Sequence, residues 1–247
     1  MKIAVVTGAS SGIGREFAVQ IAGKYGKMDE IWLIARRKDR LIELQKELRL
    51  PVRVFAMDLT DNEDMNTFDG FLKENNPDIK LLVNCAGYGK TGRFDELDIY
   101  EQCGMIDVNC KALTLFTGLC LPHISNHSRI INVASAAAFS PQPGFNVYAA
   151  TKAYVLSFSR ALNAELKSRK ITVTAVCPGP VDTEFFDIAG EKDMKLKYSE
   201  PSKVVTKAIK DAALGNEISV YGVTMKMAET AAKILPHKLV MKVFNSK

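Results

Sequence analysis

The chain has 247 residues, 47% hydrophobic and 25% charged, which fits one globular α/β domain and excludes a fibrous or disordered chain. Thirty-three basic against 28 acidic residues leave a net charge of +5, dispersed along the sequence, so no nucleic-acid-binding surface is expected. Five cysteines without a C-x-x-C pair, and three histidines without ligand spacing (His123, His127, His237), predict no metal site and thiols in a reducing compartment.

The first apolar run, "KIAVV" at 2–6, is too short for a secretory signal. No uninterrupted apolar run reaches 18 residues, so the expectation is a cytoplasmic protein without a membrane span. Further β-branched runs follow at 29–35, 52–57, 79–85, 129–135, 171–177 and 217–222. Such near-continuous apolar runs suit strands buried on both faces of a parallel sheet. Helical patterns lie between them. One at 60–75 opens with Thr60 and Glu63 at capping-box spacing. Others span 96–120 and 147–169, and another starts near Pro201 with Ser199 available as its cap. This alternation predicts a Rossmann-type, doubly wound parallel sheet in a three-layer αβα arrangement, as a single domain over 1–247. Residues 184–199 fall outside the alternation and read as a lid over a substrate site. The basic, partly amphipathic stretch 223–247 reads as a C-terminal extension packed on the domain or on a partner subunit.

The turn "TGASSGIG" at 7–14 follows the first strand and opens the first helix. Gly8, Gly12 and Gly14 permit a tight turn and close backbone approach, and the free amides of the helix N-terminus favour a pyrophosphate. The same letters contain G-x-S-x-G centred on Ser10, which with Asp182 and His237 would follow the chain order of a serine hydrolase. That reading is disfavoured because the turn lies on the first strand, where no earlier strand can supply the second oxyanion amide. At the end of the second strand, Ala35 stands where a NAD site would offer a carboxylate, and Arg36 and Arg37 follow. Guanidinium groups can grip a 2′-phosphate, so NADP(H) is the expected cofactor.

Tyr148 and Lys152, in "NVYAATKAYV", lie four residues apart on one helix face. An ammonium beside a phenol favours phenolate, and a phenol so tuned can give a proton to a carbonyl oxygen or remove one. Together these motifs resemble the short-chain dehydrogenase/reductase family over about residues 2–222. "DL" (Asp58, Leu59) resembles its adenine-pocket pair. "NCAG" (84–87) resembles its N-N-A-G with Cys85 in place of the second Asn. "CPGPVDT" (177–183) resembles the segment beside its nicotinamide.

The resemblance implies a tetrad. Tyr148 would be general acid and base, and Lys152 would lower its pKa and hold the nicotinamide ribose. Ser135 would bond the substrate oxygen, and Asn109 would bind a relay water. It also implies that Gly8, Ser10, Ser11, Gly12, Ile13 and Gly14 surround the phosphates, with Arg36 and Arg37 on the 2′-phosphate. Asp58 and Leu59 would meet the adenine, and Asn84, Ala86 and Gly87 the adenosine ribose. Pro178, Gly179, Val181 and Thr183 would meet the carboxamide end. Substrate selection would fall to 87–94, 136–146 and 184–199, where Phe94, Phe139, Phe145, Phe185 and Phe186 predict a hydrophobic ketone or aldehyde as substrate. A homodimer or homotetramer is implied by the family. The alternative is a non-catalytic NADP-binding sensor or scaffold of the same fold.

Overall fold

The computed structural model describes residues 1–24, 28–190 and 197–234. Seven strands form one parallel sheet: β1 (Lys2–Thr7), β2 (Glu30–Ala35), β3 (Val52–Ala56), β4 (Asp78–Asn84), β5 (Ile124–Val133), β6 (Thr172–Val176) and β7 (Ile218–Ser219). Their spatial order is β3-β2-β1-β4-β5-β6-β7. The order reverses between β1 and β4, which register Val5 against Leu82 and Val6 against Val83. In open sheets of this kind a crevice opens at that switch point, outside the carboxyl ends of the strands.

Alternate side chains of each strand feed two separate cores. Ala4, Val6, Ile31, Leu33 and Val83 meet α1 (Gly12–Lys24), α2 (Lys38–Glu47) and α8 (Pro201–Ala213) through Phe17, Leu41 and Val205. Ile3, Val5, Trp32, Ile34 and Leu82 point the other way. They meet α3 (Asn62–Asn75), α5 (Leu113–Cys120) and α6 (Asn146–Glu165) through Phe68, Phe116 and Leu162. Burial on both faces explains why the strands read as continuous apolar runs. Each fully buried Leu, Ile or Phe contributes about 1.5–3 kcal/mol.

Two caps differ from the sequence expectation. Asp61, not Thr60, caps α3: its Oδ1 accepts from the amides of Glu63 at 2.7 Å and Asp64 at 3.2 Å. Thr60 instead turns back onto Asp58. Glu200 precedes α8 without a side-chain cap, because Ser199 is tied to Pro180 and Asp182 by backbone hydrogen bonds. The last strand is also shorter than its apolar run, since β7 is an edge pairing only with β6 and the chain turns at Gly222 into α9 (Val223–Ile234).

Residues 99–120 form helix throughout, but not evenly. α4 (Ile99–Ile106) passes through a π-helical turn, Asp107–Ala112, into α5. Among the described residues, the helix Ile99–His123 is the one long and apolar enough to cross a membrane by length and composition. Here Met105, Ala112, Phe116 and Cys120 are packed within the protein.

Candidate active site

The glycine turn is shaped by the strands it joins. Thr7 Oγ1, at the end of β1, accepts from the amides of Cys85 at 3.0 Å and Ala86 at 3.1 Å, so the β4 loop is drawn against the turn. A Cβ on Gly8 would meet the Ala86 nitrogen at 2.8 Å, and one on Gly14 would meet the Gly8 carbonyl oxygen at 2.2 Å. Only glycine allows both approaches, and Gly8 has a positive φ of 67°. The result is a cleft of about 1050 Å³ along the carboxyl ends of the strands.

Most of the residues expected to hold a dinucleotide line this cleft. Gly8, Ser10, Ser11, Gly12, Ile13 and Gly14 form its floor at the turn. Arg36, Arg37, Asp58, Leu59, Ala86, Gly87, Pro178, Gly179, Val181 and Thr183 line it as well, with Thr183 beside Gly12. The two arginines differ. Arg37 Nη2 donates to Ser11 Oγ at 2.6 Å and to Ser10 Oγ at 3.1 Å. Arg36 is three-quarters exposed and pairs with Asp58 at 3.6 Å. That pairing, and hydrogen bonds from Thr60, hold the Asp58 carboxyl below its usual range against the opposing effect of burial.

Asn84 is a correction. Its side chain does not face the cleft; Nδ2 donates to Thr117 Oγ1 and to Asn132 Oδ1, each at 2.9 Å, inside the protein. The period of two explains this, because Asn84 and Val83 fall on opposite faces of β4.

Tyr148, which also lines the cleft, is 6% exposed. Phe145 stacks on its ring at 4.3 Å and Phe185, from α7 (Phe185–Ala189), leans on it at 5.4 Å. Burial pushes the Tyr148 phenol well above its usual value, while a hydrogen bond with Ser135 pulls it back. Ser135 Oγ also accepts from the Ala137 amide at 3.1 Å, so it caps the short turn Ala136–Phe139 as well.

Lys152 is buried too. Its Nζ donates to the Val133 carbonyl oxygen at 2.8 Å, and burial lowers its pKa to about 8. Burial dominates the phenol, and the ammonium sits 5.7 Å from its ring centre.

Asn109 lies in the π-helical turn, consistent with a helix interruption at this residue. Its carboxamide accepts from the Tyr88 amide and donates to the Tyr88 carbonyl and to Thr151 Oγ1, at 3.1, 2.9 and 3.0 Å. A relay at Asn109 would have to use its backbone, not this occupied side chain.

Phe139, Phe145, Phe185 and Phe186 line the cleft. Phe94 does not: it is 57% exposed, on a turn whose carbonyls accept from Gln102. Sequence reasoning missed one wall. Met225, Ala228 and Ala232 of α9 face the cleft at i, i+3, i+7 spacing, a pattern that was visible in the 223–247 stretch. It also missed the pairing of Arg40 with Glu184. His237 lies outside the described residues. Ser10, the nucleophile of the hydrolase reading, faces the Arg37 guanidinium, which activates no hydroxyl as a base. Residues 191–196 of the expected lid and 235–247 of the extension also lie outside the described residues.

Comparison with known proteins gives the family. The sequence profile described as short chain dehydrogenase matches residues 2–193. An uncharacterised oxidoreductase of Staphylococcus saprophyticus is 33% identical over 232 residues, covering 91% of this chain and 97% of its own. The structure of a short-chain dehydrogenase from Sphingobium yanoikuyae in complex with NADPH superposes with a TM-score of 0.81 at 29% identity, over 94% of this chain and 93% of that one. A bulky-bulky ketone specific alcohol dehydrogenase from Comamonas testosteroni gives 0.78 at 25% identity, over 100% and 96%.

Proposed function

The chain belongs to the short-chain dehydrogenase family of oxidoreductases, and on that premise we propose that it interconverts a hydrophobic ketone or aldehyde and its alcohol with NADP(H), Tyr148 handling the proton. The observation that carries the reading is the grouping of Tyr148, Ser135 and Lys152 on a cleft that also presents the glycine turn and Arg37.

The residues present fit a dinucleotide. The glycine turn leaves space that a Cβ would fill, and its helix N-terminus faces the cleft. Arg37, backed by Ser10 and Ser11, offers several donors to a 2′-phosphate. When bound, NADPH supplies the hydride. Tyr148 donates its proton to the carbonyl oxygen during reduction and recovers it in the reverse direction. The raised phenol pKa keeps Tyr148 protonated, as a general acid must be. Ser135 stabilises the charge developing on the substrate oxygen. Lys152, its pKa lowered by burial to about 8, provides a proton-exchanging neighbour and a donor for the ribose.

Substrate hydrophobicity is supported by Phe145, Phe185, Phe186 and Met225 around the reacting end. The Comamonas testosteroni neighbour is described as specific for bulky-bulky ketones. Ile106, Leu115 and Tyr154 are apolar and exposed along α4, α5 and α6, which supports a homo-oligomer.

Titration with NADPH and NADH, followed by turnover on a panel of ketones and aldehydes, tests the proposal. Preferred NADPH binding with turnover of apolar carbonyls is expected. NADPH binding without turnover of any panel member would favour the sensor reading, and binding of neither nucleotide would remove both.

A further inference from the structure

Glu184, the residue before α7, lies between two guanidinium groups. Arg37 Nη1 donates to its Oε2 at 3.0 Å, and Arg40 Nη1 donates to its Oε1. Together these hold the Glu184 carboxyl below its ordinary range. Arg37 also binds both hydroxyls of the glycine turn, so a single guanidinium joins that turn, the start of α2 and the start of α7. The other end of α7 is held separately. The amide and hydroxyl of Thr91 donate to the Ala189 carbonyl at 3.0 and 2.7 Å. Between these two anchors Phe185 rests on Tyr148.

We propose that Glu184 is a built-in counter-anion of the 2′-phosphate subsite, and that a 2′-phosphate arriving at Arg37 displaces its carboxylate onto Arg40 alone and so loosens the leading end of α7. The inference rests on the NADP reading above and adds a selecting residue to it. A phosphate carries between one and two negative charges and the strongest acceptors available to Arg37. A carboxylate sharing the same guanidinium is repelled by it. A nucleotide without a 2′-phosphate brings no competing anion to this point and leaves the pair closed.

The pair is also weak enough to exchange. Arg37, Arg40 and Glu184 are each 41–43% exposed, and ion pairs in such settings are readily traded for a better partner. Glu184 thereby couples the phosphate that distinguishes the two cofactors to the ring that covers Tyr148.

The test uses 2′,5′-ADP, which carries the phosphate but no nicotinamide and so cannot act on α7 through Thr183, with 5′-ADP as control. Affinity is read by calorimetry and the order of α7 by amide hydrogen exchange over 185–189. In the parent, 2′,5′-ADP should bind tighter than 5′-ADP and speed exchange in α7, whereas 5′-ADP at saturation should not. Glu184→Gln should bind 2′,5′-ADP roughly two- to fivefold tighter than the parent and show fast α7 exchange without ligand. If the parent prefers 2′,5′-ADP but Glu184→Gln binds it no tighter, or α7 exchange does not respond, the counter-anion role is overturned while the NADP reading stands. If the parent shows no preference for 2′,5′-ADP, both are overturned.

Discussion

Lys152 donates from Nζ to the Val133 carbonyl oxygen at 2.8 Å while its charge stays buried beside the Tyr148 ring. Burial lowers its pKa from 10.5 to about 8. Below about pH 8 the folded protein carries a buried ammonium at a cost. Between that point and 10.5 the folded state binds fewer protons than the unfolded chain, so stability rises with pH across the window. Lys152→Met removes this dependence. The parent should gain on the order of 2–3 kcal/mol relative to the variant between about pH 7 and pH 10. Urea midpoints at the two ends of the range measure it, and a constant difference would contradict the assignment.

Tyr148 is packed between Phe145 and Phe185 and makes its hydrogen bond to Ser135 with the hydroxyl alone. Tyr148→Phe keeps both ring contacts. The variant should fold and bind NADPH as the parent does, yet lose about 10²–10⁴-fold in kcat, the usual scale of general acid catalysis. Circular dichroism, nucleotide titration and turnover separate these outcomes. Retained turnover would take the proton-handling role away from Tyr148.

Arg36 and Arg37 look equivalent in the sequence, and the structure separates them. Arg37 is braced by Ser10 and Ser11, whereas Arg36 is mostly in solvent beside Asp58. Arg37→Ala should weaken NADPH binding roughly 10- to 100-fold, the scale of a charged hydrogen bond. Arg36→Ala should cost less, and NADH binding should change little in either variant. Equal losses from the two variants would put both guanidinium groups on the 2′-phosphate, and no loss from either would place it elsewhere.

The parallel sheet and its crevice follow from features legible in the chain. Continuous apolar runs such as 79–85 and 129–135 announced a parallel sheet, and the glycine turn after the first run announced where a crevice would open. What the sequence could not convey was the direction of individual side chains. Asn84 belongs to a motif associated with nucleotide binding, yet its position on β4 turns the carboxamide toward Asn132. Phe94 is an apolar residue in a substrate-facing segment, yet a turn carries it to the surface. The 225, 228, 232 row was readable as an apolar helix face, but nothing local said that the face would meet the cleft. The Glu184 pairing joins residues 147 and 144 positions apart, beyond the reach of any local pattern.

Asn84 and Asn132 are buried, at 3% and 0% exposure, and the pair continues through Asn132 Nδ2 to Ser159 Oγ at 2.9 Å. Asn84→Ala deprives Asn132 Oδ1 and Thr117 Oγ1 of their donor without touching the cleft. Stability should fall by about 1–3 kcal/mol, as for other unsatisfied buried acceptors. The affinity for NADPH, measured well below the unfolding temperature, should stay within about twofold of the parent, a change under 0.5 kcal/mol. A selective loss of nucleotide affinity with stability unchanged would return Asn84 to the cofactor site.

Ala228 is one helical turn from Met225, whose sulfur approaches within 2.7 Å of where a Cβ on Gly179 would stand. The α9 wall therefore closes directly on the segment expected beside the reacting carbon. Ala228→Phe adds a ring to this wall while leaving the glycine turn, Arg37 and Tyr148 untouched. KM for bulky ketones should rise at least about tenfold, equivalent to about 1.4 kcal/mol of lost binding, while small aldehydes and NADPH are handled as before. Steady-state kinetics on a size series of ketones measures it. If large and small substrates are affected alike, α9 is a structural cover and the pocket's limit is set by the phenylalanines of α7 and of 139–145.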